Sequence, residues 1–471
     1  MSTTCRRVIA LAVLAFAAPA TSRGEQTFDA QRSNAWTQFR NGAGLNDVVV
    51  NAQLPREPTW RFSTPEKGTS TSPVVAGKLV LLAANDHSLY AVDGATGRLV
   101  WQFRGDNEIM SAPVYRDGIA VIGTGDADSP VYDLPAYNVV GMGPSDLAGI
   151  DLATGKKLWS FKLTGSGMPM PALFGSTLLH VDGNGTLVAL DYRSGRYLWR
   201  RLFYSNASMT NVLIVGGRAY FGGRAPNAVY AFSPSDGAPL WVHPFPTQAG
   251  AFDDCPLASD GKQLFGMYAE PTDGGIVLAR RRARQHVYAL DAATGRLRWD
   301  TTLNVVGLEP DYNEAAVPTY ANGMLYEGSP LAPDVVALDA RNGRVRWTLR
   351  VSGAVKGAFV LRDGVLYFGD YGGKLWAVDA LRGRVLGSVQ TDLDFYVGSP
   401  IALNDSLVIG SQQGPLIAIP LKDIRASRHV SGVTRGAHHL VRRLLIVLGI
   451  VILCALALWL TTLRGLRRRS A

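Results

Sequence analysis

Short apolar runs separated by tight polar turns dominate the chain, and one unit of this kind recurs from end to end. In its clearest copy Leu89 to Val92 is apolar at every position, as an inner strand covered on both faces must be. Asp93 and, more weakly, Thr96 can accept hydrogen bonds from the backbone of a following turn, and Gly97 supplies the positive φ that closes it. Arg98 to Trp101 then returns as an outer strand. Its indole is large enough to bury on the order of 200 Å² against a neighbouring sheet.

Further copies run from Asp151 to Trp159, Asp191 to Trp199 and Asp291 to Trp299. Looser ones run from Ser233 to Trp241 and Asp339 to Trp347, and a seventh, Asp379 to Leu386, keeps Gly383 but lacks the Trp. Their first positions are spaced by 58, 40, 42, 58, 48 and 40 residues, a base period of the length of a four-stranded propeller blade. Ser72-Pro73-Val74, Ala112-Pro113-Val114, Val317-Pro318-Thr319 and Ser399-Pro400-Ile401 open blades alike, with Pro where the first strand edges a central channel. Trp60 sits in a fourth strand with no first three, and Ser399 to Pro420 reads as three strands with no fourth. Joining them predicts an all-β, eight-bladed propeller of four-stranded blades over 36–421, the ring closed by its N- and C-terminal strands, with seven blades as the alternative.

Composition fits a chain of turns, with 51 Gly and 25 Pro, and 47% hydrophobic residues can supply the core. The formal charge of +9 comes from the two ends: residues 21–421 hold 35 Lys and Arg against 37 Asp and Glu. Nothing in the propeller's charge calls for nucleic acid.

The ends set the address. Arg6 and Arg7 precede the apolar run Val8 to Ala18, and Ala18-Pro19-Ala20 is a small-residue cleavage site, so 1–20 reads as a secretory signal peptide and 21–35 as an N-terminal lead. The Arg6-Arg7 pair also admits twin-arginine export, though its surroundings match poorly. Leu444 to Leu463 is twenty residues without a charge, enough to cross ~30 Å of hydrocarbon. Residues 422–443 form a basic juxtamembrane linker and 464–471 an Arg-rich tail, expected in the cytoplasm with the propeller on the periplasmic side. Cys5 precedes the apolar run, where a lipoprotein cysteine would not be, and Cys454 falls in the span. Cys255 alone is left in the exported domain, so no internal disulfide forms there, and no C-x-x-C-H haem pattern occurs.

The repeated AxDxxTGxxxW pattern, with Trp36-Thr37-Gln38-Phe39-Arg40 before it, resembles the pyrroloquinoline quinone (PQQ)-type propeller repeat family over 36–420. The resemblance implies the fold and two functional classes: quinoprotein dehydrogenases holding PQQ and Ca²⁺ in the mouth of the ring, and non-catalytic propellers of the BamB kind that scaffold outer-membrane assembly. It also implies that alcohol-oxidising members carry adjacent cysteines, which this chain lacks.

Loops from each outer strand to the next blade rim the mouth, and their acids are Asp106, Glu108, Asp253, Asp254, Glu309, Asp311, Glu314, Asp392 and Asp394. Such oxygens suit Ca²⁺, but solvated loop acids are the commoner case. Cys255 reads as a packing residue, since its neighbouring carboxylates disfavour a thiolate. His87, His180, His243 and His286 show no ligand spacing. Arg280 to Arg284 lengthens the fifth unit as a docking patch or a solvated charge run, and the insertion Asp126 to Leu147, with Tyr132, Pro135 and Tyr137, is a candidate partner site. No catalytic, cofactor-binding or metal residue is assigned. The leading expectation is a membrane-tethered exported scaffold that binds envelope proteins through loops and insertions and takes no cofactor. The alternative is a Ca-dependent PQQ oxidoreductase, and a small-ligand sensor is a weaker third.

Overall fold

A computed structural model describes residues 54–430 and 433, apart from 65–67, 70, 127–143, 253–254, 273–280, 310–314, 396–397 and 413. Residues 1–20, read above as a signal peptide, Trp36, and 444–463, read above as a membrane span, lie outside the described residues. Among those described, no helix is long and apolar enough to cross a membrane.

Eight antiparallel four-stranded sheets form an eight-bladed propeller. Blade 1 runs from the inner Val74–Ala76 through Leu79–Ala84 and Ser88–Asp93 to the outer Leu99–Arg104. Blades 2 to 7 repeat this order. Blade 8 joins the two ends: Trp60–Ser63 is the fourth strand on Ile401–Leu403, Ser406–Gly410 and Pro415–Pro420, with Trp60 opposite Ala418. The ring of seven is thereby excluded.

The turns form for the reasons the sequence gives. Asp93 Oδ1 accepts hydrogen bonds from the Thr96 amide at 2.9 Å and hydroxyl at 2.7 Å, and Gly97 has φ +69°. Asp151 with Thr154, Asp191 with Ser194 and Asp291 with Thr294 repeat the clasp. Several returning Trp side chains bond the next blade's turn: Trp101 Nε1 donates to Leu152 O at 2.8 Å, and Trp299 to Ala340 O and Trp347 to Ala380 O at 3.0 Å. Trp60 and Trp241 occupy the same place, bonding Gly94 O and Ala292 O. The cores lie between blades, as where Leu81, Ala83, Leu89 and Ala91 of blade 1 meet Ala120, Ile122, Ala148 and Ile150 of blade 2.

Strand alternation gives the ring two faces. The Asp-to-Gly turns fill one face. The other, the mouth, carries the connections from second to third strands and from each blade to the next. Both long insertions fall in second-to-third connections, of blades 2 and 5, and so on the mouth face. In blade 5 the strands Gln263–Pro271, Arg281–Asp291 and Leu297–Glu309 have 9, 11 and 13 residues, against 6 each in blade 1. Arg281 to Arg284 of this run belong to a paired strand, with Arg284, exposed, opposite Glu270 and Val306.

Candidate interaction face and the mouth of the ring

The first strand of each blade starts beside the axis. There Ala112, Met170, Val317 and Ala358, from blades 2, 3, 6 and 7, pack together as a buried apolar floor, which side chains of non-adjacent blades can do only across the axis. Around it buried hydroxyls join neighbouring blades. Ser72 Oγ accepts from Ser399 N at 3.1 Å, Ser399 Oγ from Ala358 N at 2.9 Å and Thr319 Oγ1 from Phe359 N at 3.1 Å, while Ser111 Oγ donates to Pro169 O at 3.2 Å. Asn211 Oδ1 accepts from Leu257 N at 3.1 Å. These polar groups are spent on the ring itself.

The described rim acids have separate surroundings. Asp392 lies against Arg61 with contacts of 3.0 and 3.3 Å, and Asp394 accepts from Ser411 Oγ at 3.1 Å. Asp106 is exposed beside blade 2, where burial, then the Asp106 charge, raises the pKa of Asp146. Glu108 is half-buried in the same loop, and Glu309 ends the outer strand of blade 5. Asp253, Asp254, Asp311 and Glu314 lie outside the described residues, as does most of the blade 2 insertion, including Tyr132, Pro135 and Tyr137. Among the described residues no three His, Cys, Asp or Glu side chains are grouped to hold a metal ion. Of the described rim acids, Asp392 is paired with an arginine and Asp394 is bonded to a serine, beside an apolar floor.

Cys255 is buried, with its Sγ accepting from Met267 N at 3.4 Å, in the packing role expected of it. His180 is fully buried and desolvation lowers its pKa to about 3. His286 was passed over by the spacing argument, yet it lies between two carboxylates, 3.0 Å from Asp300 Oδ1 and 3.2 Å from Glu270 Oε2, stacked on Tyr268 at 4.4 Å. Tyr268 donates to Asp300 Oδ2 at 2.7 Å, and burial, then that bond, raises its pKa. The set sits at the neck of the lengthened blade 5. Its members come from three strands, so only register joins them.

Sequence reading also missed Asp182 and Asp370. Asp182 accepts from Thr164 Oγ1 at 2.6 Å and Gly165 N at 3.0 Å, and Asp370 from Trp376 Nε1 at 2.8 Å and Ser352 N at 3.0 Å. Each clasps the incoming loop of its own blade. The recurring Asp followed three residues later by Gly185 or Gly373 was the available signal.

Fold and mouth together define a PQQ-repeat propeller whose described rim groups are largely engaged within the ring. The family model described as outer membrane protein assembly factor BamB matches residues 46–135, 144–267 and 283–444, and the chain belongs to that family. It is also similar to a tetrathionate hydrolase of Acidithiobacillus ferrooxidans, 25% identical over 378 residues, 76% of this chain and 74% of that protein. Among solved structures it resembles BamB from Moraxella catarrhalis, with TM-score 0.58, 17% identity and coverage of 77% of this chain and 99% of that one. It likewise resembles the quinohemoprotein alcohol dehydrogenase ADHIIG from Pseudomonas putida HK5, with TM-score 0.60, 12% identity and coverage of 88% and 83%. At these identities the structural likeness concerns the fold alone.

Proposed function

We propose that this chain is an exported propeller, tethered by a single C-terminal membrane span, that serves as a protein-interaction scaffold in envelope assembly. The observation that carries the reading is the match of the BamB family model along most of the chain. The engagement of Asp392 and Asp394 within the ring, and the placement of both insertions on the mouth face, support it, since loops commonly carry recognition. Deleting 127–143 tests it. The variant should melt as the parent does and lose its crosslinks to envelope proteins, and an unchanged crosslinking profile would overturn the scaffold.

A second reading, an enzyme, is favoured by the breadth of the similarity to a tetrathionate hydrolase. A PQQ oxidoreductase has only the fold behind it. Turnover of tetrathionate, or PQQ-dependent dye reduction with Ca²⁺, by the purified chain would establish catalysis. A PQQ site filled at a hundred times its dissociation constant would stabilise the chain by ~2.7 kcal/mol, which a melt detects.

A further inference from the structure

We infer that the mouth of the ring faces the bilayer, because the chain leaves the propeller at the mouth side of the seam between blades 7 and 8. The inference rests on the single-span reading above. Where blades 1 to 6 carry a Trp, blade 7 has Gly387, and a Cβ there would lie 2.2 Å from Arg425 O and 2.5 Å from Ile424 O. The short helix Leu421–Arg425 fills that space on the turn face, with Lys422 paired to Glu57. The chain then climbs the outer strand Val385–Gln390: Ser427 Oγ accepts from Ser388 N at 3.1 Å. Finally Val433, buried, gives its carbonyl to Arg61 Nη1 at 3.1 Å. That guanidinium is itself held by Asp392, in the loop that leads from blade 7 over the mouth to blade 8. Both side chains of the clamp are largely buried, 13% and 16% exposed.

From this point 434–443 leads to the uncharged 444–463 run and carries Arg435, Arg442 and Arg443, which suit anionic headgroups. With only 434–443 between Val433 and that run, the mouth is the face nearer the bilayer. Charge alone argues the reverse. Arg98, Lys156, Arg196, Arg296, Arg344 and Arg384 are exposed at one equivalent position of six turns and make the turn face basic.

The test uses the full chain, carrying Cys5→Ser, Cys255→Ala and Cys454→Ser, in phosphatidylethanolamine–phosphatidylglycerol vesicles. Bimane is placed on Tyr371→Cys at the mouth or Lys156→Cys on the turn face, and quenched by headgroup spin-labelled lipid. Quenching at residue 371 should exceed that at 156 several-fold. Arg61→Gln, or the gentler Asp392→Asn, should bring the ratio towards one. Equal quenching in the parent, or stronger quenching at 156, overturns the inference while leaving the span intact. Release of the protein by alkaline carbonate overturns the span, and the inference with it.

Discussion

Gly97 lies flat against the indole of Trp60: a Cβ added to the glycine would come within 2.7 Å of the ring. The two residues belong to blade 1 and to the strand that completes blade 8, so this contact is the seam that closes the ring. The same contact recurs between Gly155 and Trp101, Gly195 and Trp159, and Gly343 and Trp299.

Gly97→Ala should therefore cost about 2–5 kcal/mol, combining a left-handed backbone with overpacking against a ring that cannot retreat. Gly77, at φ +63° with open space around it, isolates the backbone part. Gly77→Ala should cost only about 1–2 kcal/mol. Equal losses in denaturant unfolding would mean that the indole contact does not matter.

The tryptophans should report on the same joints. Trp299→Ala should cost about 3–5 kcal/mol in thermal melts, as for other buried large-to-small changes. Trp101→Ala and Trp347→Ala, at partly exposed sites, should fall at or below the lower end of that range.

At Gly387 the expected sign is inverted. Restoring the repeat with Gly387→Trp should displace the Leu421–Arg425 helix, whose carbonyls occupy that space. Limited proteolysis should then cut within 421–433 while the remaining blades stay resistant.

Two acid transitions should separate. His180 is neutral in the fold because burial holds its pKa at about 3, so its contribution is complete above the unfolded value near 6.5 and declines as pH falls from there. The slope should be ~1.4 kcal/mol per pH unit, and His180→Leu should remove it. Asp339 is held down to about 2, first by its bond from Arg346 and then by that from Arg341. Its contribution is present above the unfolded pKa near 3.9 and is lost between there and about 2, a limb that Asp339→Asn should flatten in urea titrations.

Topology has its own measurement. An alkaline-phosphatase fusion after Arg435 should be active and one after Ala471 inactive, and the reverse pattern would place the propeller in the cytoplasm.

The recurrence of an Asp-to-Gly turn followed by Trp fixed the blade, its period and, through the incomplete units at Trp60 and Ser399 to Pro420, the count of eight. These are legible because each turn is stabilised by neighbours in sequence: Asp93 bonds Thr96 three residues away, and Gly97 meets a purely local demand for positive φ. The clamp of Arg61 on Asp392 and Val433 joins residues 331 and 372 apart, and His286 meets Glu270 and Asp300 only through the register of three strands. No local pattern encodes such encounters. They exist because closing the ring brings the two ends of the chain to one seam, and tertiary structure alone decided which rim acids that closure would consume.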